Sequence, residues 1–358
     1  MARGPLATLF QLYGSPRPLW AATMKAFAYA RSRGISGLVR AVRRKIAHPT
    51  LPIGAPELEE GERLAFEERW VIRGSGLTRR HLTSIIILTK GAQALLDACL
   101  ASLARSILPD AKVEILIVNN GRPVGLPPSF PFPIRVLRET RRFNWAAYNN
   151  RAAEYATGEF LLFLNDDVEA LHGGWLDAML AEALRPGVGA VGAKLLYPNG
   201  RIQHYGIVME GSQPRHLGKF FPRDDPGLTG DPPESRIVDA VTGACLLTPR
   251  RVLLQHHFDE RFAYNYNDVD YCLRLWKARQ QTLVTPFAEL IHRETTTRPI
   301  RVPPREVRLL QEKMDPDISR VRTVRLSMLS STYALLNIHP IGSQYVREQK
   351  PLNSFPFV

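Results

Sequence analysis

The sequence predicts an α/β protein: a mostly parallel central sheet with helices on both faces, preceded by an N-terminal helical segment. Three observations carry this. The apolar runs Ile85-Ile86-Ile87-Leu88 and Phe160-Leu161-Leu162-Phe163-Leu164 are continuous rather than alternating, as strands buried on both faces are. Segments of helical periodicity separate such runs. The first 50 residues hold nine Lys/Arg and no Asp/Glu, which leaves only +4 of the total +13 for the remaining 308.

Residues 1–80 read as a basic helical extension broken by turns such as Gly14-Ser15-Pro16. Within it Ile35, Leu38, Val39, Val42 and Ile46 fall at helical spacing, with Arg40, Arg43, Arg44 and Lys45 in the gaps. Two readings of this short basic amphipathic helix stay open. It touches an anionic membrane surface, or it docks on the body with its arginines solvated. A basic tail on a nearly neutral body is not a nucleic-acid-binding profile. No apolar run approaches the roughly 20 residues that span a bilayer. The first 30 residues lack the compact apolar centre of a signal peptide. Cys99, Cys245 and Cys272 are too few for a disulfide framework and read as buried thiols. The expectation is a cytoplasmic protein, at most peripheral at the inner face of the cytoplasmic membrane.

Residues 81–300 form the body. A strand over 84–89 is followed by an amphipathic helix over 93–106, a strand over 113–118, a helix over 144–156 and a strand over 160–164. Ligands of parallel sheets bind beyond the strand C-termini. The residues that matter are therefore Thr89-Lys90, Asn119-Asn120-Gly121 and Asn165-Asp166-Asp167. Residues 301–358 carry no recognisable chemistry; they are expected to pack on the body or to mediate association.

Four motifs stand out. Asp166 and Asp167 follow directly on an apolar strand. Adjacent half-buried carboxylates repel unless a cation joins them, and a hard divalent cation with phosphate oxygens is the natural partner; a solvated acidic turn is the other reading. Tyr266-Asn267-Asp268-Val269-Asp270 opens a helix, where each acid serves as an anion at the helix N-terminus or as a cap. Ala288-Glu289-Leu290-Ile291-His292 is a short strand ending in histidine, a ligand or a structural side chain. Thr242-Gly243-Ala244 precedes an apolar strand, and its small residues allow close approach of a ligand or of another element.

In this order and at this spacing the motifs resemble the family-2 glycosyltransferases, over about residues 83–296. The resemblance implies the GT-A nucleotide-diphospho-sugar transferase fold. It implies that Thr89 abuts the nucleotide, that Asn120 stands where the base is contacted, and that Asn149-Asn150 lies on a nucleotide-side helix. It places Asp166, Gly243 and Ala244 against the nucleotide sugar, Asp167 at the metal-ligand position, Asp268 at the catalytic-base position, and His292 near the diphosphate as a second candidate ligand. Phe143-Asn144-Trp145, Val191-Gly192-Ala193-Lys194 and Arg201-Ile202-Gln203-His204 are similar to a bacterial subgroup associated with O-antigen and rhamnan-type surface polysaccharides. The sequence departs from the family at Gly91 and Arg122, and at Asn165 and Asn267, where the family carries acids. Asp167 and Asp268 remain in place.

The resemblance implies a metal-dependent, inverting transferase using Mg²⁺ or Mn²⁺. It would move a sugar from a UDP- or dTDP-linked donor to a saccharide or lipid-linked acceptor. Two alternatives are a catalytically inactive relative that binds or scaffolds and a nucleotidyltransferase of similar sheet. The second leaves the Asn267-Asp268-Val269-Asp270 motif without a reason.

Overall fold

The structure is a computed structural model and describes residues 76–225, 233–293 and 302–314. The basic amphipathic segment 35–46 lies outside the described residues, as do most of the predicted N-terminal extension and the C-terminal end.

The chain alternates as the apolar runs predict. A short α1 (Leu77–Arg80) leads into β1 (Thr83–Thr89), α2 (Gln93–Ser106), β2 (Val113–Asn119), β3 (Ile134–Arg138), α3 (Trp145–Tyr155) and β4 (Phe160–Asn165). Then follow β5 (Val168–Ala170), α4 (Trp175–Ala183), β6 (Val188–Leu196), β7 (Ile202–His204), β8 (Ile207–Glu210) and β9 (Gln213–His216). The last elements are β10 (Arg236–Val238), β11 (Cys245–Pro249), α5 (Arg250–His256), α6 (Asn267–Lys277), β12 (Gln281–His292) and α7 (Pro304–Lys313).

The main sheet runs β10-β12-β6-β11-β4-β1-β2-β3, with β5 added to β12 and β7 to β6; β8 and β9 form a separate hairpin. Strands β4, β1, β2 and β3 run parallel to one another, and β12 runs parallel to β6. β11 is antiparallel to both β4 and β6, so the second half of the sheet is mixed.

Each central strand feeds two cores. In β1, Ile86 faces one side together with Leu116, Leu161 and Phe163, packed with α3, α5 and α6. Ile85 and Ile87 face the other with Ile115, Ile117, Leu162 and Leu164, packed with α2 and α4. That two-sided burial is why the strands read as unbroken apolar runs. β12 is longer than the predicted strand before His292. It runs for 12 residues and is irregular between Thr285 and Glu289. Among the described residues no helix is long and apolar enough to cross a membrane.

Candidate active site

The parallel strands end level with one another. Thr89 is in register with Asn119, and Leu88 with Asn165. Two loops close over this rim: an added Cβ on Gly121 would lie 1.9 Å from the Lys90 carbonyl oxygen, and one on Gly91, at φ +86°, would lie 2.5 Å from the Arg122 carbonyl oxygen. Gly91, a departure from the family pattern, is thus set by the close approach of the β1 and β2 loops.

A narrow pocket of about 50 Å³ opens here, lined among others by Thr89, Lys90, Asn120, Phe143, Tyr148 and Asp166. The Lys90 ammonium lies 4.7 Å from the centre of the Phe143 ring, a cation–π contact that closes one wall. Asn120 is anchored through its amide NH₂, which donates to the carbonyls of Glu139 and Arg141 at 3.0 and 3.1 Å. Glu139, in turn, is held by the Arg141 guanidinium, which draws its carboxyl down to about 2. The structure therefore brings Thr89, Asn120 and Asp166 to one pocket. It does not bring Asn150 there. Asn150 is buried and its amide is spent on the Phe258 backbone, donating to the carbonyl and accepting from the N–H, both at 2.9 Å. That side chain splints two segments.

Asp166 and Asp167 form the turn from β4 into β5. β5 pairs with the end of β12, so Val168 lies opposite His292, and the Arg293 N–H donates to the Asp167 carbonyl. This sets the Asp167 carboxylate 3.2 Å from His292 Nε2. Gln203 fixes the histidine. Its NH₂ donates to the His292 carbonyl at 3.3 Å, which turns its Oε1 toward His292 Nδ1 at 2.6 Å. His292 Nε2 also lies 3.5 Å from the Asn165 amide nitrogen, so an imidazole edge, a carboxylate and an amide meet at one point of the rim. An imidazole oriented through its far nitrogen and set beside a carboxylate is the pattern of a metal ligand with its supporting partner. Carboxylate and imidazole together suit a divalent transition metal, and a carboxylate with phosphate oxygens suits Mg²⁺. Among the described residues no group of three or more His, Cys, Asp or Glu side chains could hold an ion, so a cation here would draw its other ligands from a bound molecule and water. The acids of this corner are felt at Cys99, whose thiol is pushed up first by burial and then by Asp166, Asp167 and Glu169.

Asp268 opens α6. Tyr266, just before it, is in the left-handed region at φ 62°. The Gly243 N–H donates to one Asp268 oxygen at 2.7 Å and the Val269 N–H to the other at 2.8 Å. These two backbone amides orient the carboxylate. Gly243 must be glycine here, because a Cβ would lie 2.8 Å from the Trp145 ring. Its neighbour Ala244 accepts the Asn165 N–H at 3.0 Å. A chain of short contacts thus runs from the acidic turn through Ala244 and Gly243 to Asp268. His204 supports it: burial first, then His216 and His292, keep its pKa well below 6.5, and its Nε2 accepts the N–H of Gly206 and of Thr242 at 3.3 and 3.4 Å.

Asp270, two residues on, is a different case from the cap its position suggests. It is buried and ion-paired with Arg274 at 2.8 Å and with Lys313 of α7. Sequence reasoning gave no role to Gln203, because its partner His292 is 89 residues away, or to Glu306. The buried Glu306 carboxylate accepts the N–H groups of Ala263, Tyr264 and Asn265 at 3.0, 3.0 and 2.8 Å and so fixes the loop that leads to Asp268.

Residues 84–236 match the family described as Glycosyl transferase family 2. An uncharacterized protein, y4gI, of Sinorhizobium fredii (strain NBRC 101917 / NGR234) is 34% identical over 245 residues, covering 65% of this chain and 26% of its own. The O-antigen biosynthesis protein RfbC of Myxococcus xanthus is 33% identical over 284 residues, covering 76% and 22% respectively. The chain thus spans about a quarter of the length of these two relatives. The N-acetylglucosaminyl-diphospho-decaprenol L-rhamnosyltransferase of Mycobacterium tuberculosis (strain CDC 1551 / Oshkosh) is 30% identical over 222 residues, 55% of this chain and 71% of that protein.

Proposed function

Because the chain belongs to glycosyl transferase family 2, we propose that it moves a sugar from a nucleotide-diphosphate donor, UDP- or dTDP-linked, to a hydroxyl of a saccharide or lipid-linked acceptor in surface polysaccharide synthesis. The names of the Myxococcus and Mycobacterium relatives support the polysaccharide context. The observation that carries the reading is the Asp167–His292 pair at the sheet rim, with carboxylate and imidazole Nε2 3.2 Å apart.

In this reading Thr89, Asn120 and Asp166 hold the nucleoside end; a nucleoside entering the narrow pocket displaces Lys90 from Phe143. Asp167 and His292 hold Mg²⁺ or Mn²⁺ beside the diphosphate, with Gly243 and Ala244 lining the sugar side. The cation's contribution is to neutralise the charge that grows on the departing diphosphate. Asp268 takes the proton of the acceptor hydroxyl as its oxygen attacks the anomeric carbon. The C–O bond to the diphosphate breaks with its electron pair leaving on the nucleotide. A single displacement inverts the anomeric centre, so no second nucleophile is required. Residues 35–46 hold the protein at the anionic inner face of the cytoplasmic membrane.

The test is nucleotide affinity by calorimetry. UDP or dTDP is expected to bind at least about tenfold more tightly with Mn²⁺ than with EDTA, and Asp167→Ala should erase that difference. Equal affinity with and without metal, unchanged in Asp167→Ala, contradicts the reading.

A further inference from the structure

We propose that the cleft lined by Arg142, Phe143 and Arg305 is a second ligand site that binds an anionic sugar. If the donor reading above holds, that sugar is the acceptor. The cleft encloses about 530 Å³ and is lined by, among others, Arg142, Phe143, Glu260, Arg261, Tyr264 and Arg305. Sites of 300–1,000 Å³ are the usual size for small-molecule ligands, and a volume in the lower half of that range suits one or two sugar rings.

Its charge decides the ligand class. The Arg261 guanidinium is spent on Asp259, at 2.6–3.1 Å. The Glu306 carboxylate is spent on three backbone amides beneath the cleft. Glu260 accepts from Asn150 at 3.2 Å. That leaves Arg142 and Arg305, both exposed and neither engaged in a hydrogen bond or ion pair among the described residues. They come from separate elements, the loop before α3 and the first turn of α7, and line one cavity in which three arginines stand against two glutamates. A guanidinium fork matches a carboxylate or a phosphate in two parallel bonds. Tyr264 packs on Phe143 with ring centres 5.5 Å apart, so part of the lining is aromatic and can carry the apolar face of a sugar ring.

The floor is rigid before any ligand arrives. Glu306 pins the 263–265 backbone, and the Trp145 N–H donates to the Ala263 carbonyl at 2.9 Å. A preformed site avoids the ordering cost of binding. The position fits an acceptor. Phe143 also lines the narrow pocket proposed for the nucleoside, and the pinned loop runs directly into Tyr266 and Asp268.

Glucose 1-phosphate, glucuronate and glucose are titrated against the full chain by calorimetry, with and without saturating UDP and Mg²⁺. Glucose 1-phosphate or glucuronate should bind about tenfold or more tightly than glucose, in the presence of the nucleotide, and whichever binds identifies the anion as phosphate or carboxylate. Arg142→Gln with Arg305→Gln should abolish the preference for the anionic sugar while leaving the affinity for UDP unchanged. Equal binding of all three sugars, binding displaced by UDP, or a preference that survives the double substitution overturns the proposal. Failure of UDP itself to bind counts against the donor reading alone, since the sugars are also titrated without it.

Discussion

Asp268 and Asp270 stand two residues apart at the start of one helix, and their surroundings separate them. Asp268 is half-buried and held by two backbone amides at the rim of the sheet. Asp270 is 2% exposed and faces Arg274 and Lys313. Removing a buried counter-charge leaves cations uncompensated. Arg274 and Lys313 are about a quarter exposed, so water softens the loss. Asp270→Asn is expected to cost about 1–3 kcal/mol, seen as a lower melting temperature, while donor affinity is retained. An unchanged melting temperature contradicts the ion-pair role. The sequence marks both acids but does not separate them, because the Lys313 partner is more than 40 residues downstream. Asn150 shows the same limit: a polar side chain on a helix can face a ligand or a distant backbone, and Phe258, which decides it, is 108 residues away. The place of His292 at the end of a strand, beside the acidic turn, was legible from the apolar run before it.

At the scale of elements, the two-sided strands were legible from composition alone, and α2 begins and ends where its periodicity does. β3 was not. Its residues are mostly exposed, with Arg135 and Arg138 in a five-residue edge strand, so it carries no apolar run. The antiparallel insertion of β11 was also hidden, since a buried strand reads alike in either direction. In the proposed reaction the loop before β11 carries the amide that orients Asp268. Gly243 touches the Trp145 ring, which is wedged against Phe163 and Phe258 with centres 6.0 and 4.9 Å away. Trp145 cannot yield, so Gly243→Ala must move the loop and with it the amide that holds Asp268. Overpacking of this kind costs about 1–3 kcal/mol. Thermal unfolding and a transfer assay on the same sample should show a modest loss of stability and a larger loss of rate. A variant that matches the parent in both contradicts the close packing described here.

Across the whole molecule, the GT-A fold expected from the motif order is the fold observed, and it collects charge from distant parts of the chain at one rim. The acidic turn, the histidine of β12, the glycine loop and the first turn of α6 are separated by up to 127 residues and joined by a few short bonds. In the proposed reaction this rim deprotonates an acceptor while a nucleotide diphosphate leaves. Asp268→Asn tests it most directly. Asn can accept only one of the two amides that Asp268 accepts, so a drop of a few degrees in melting temperature is expected, about 1 kcal/mol. General-base assistance is worth about 10²–10⁴ in rate. The measurement is the rate of sugar transfer, or of donor hydrolysis, by Asp268→Asn against the parent, with metal-dependent nucleotide affinity measured alongside. The account predicts a fall of that size with nucleotide affinity retained; near-full transfer by a folded Asp268→Asn protein would contradict it.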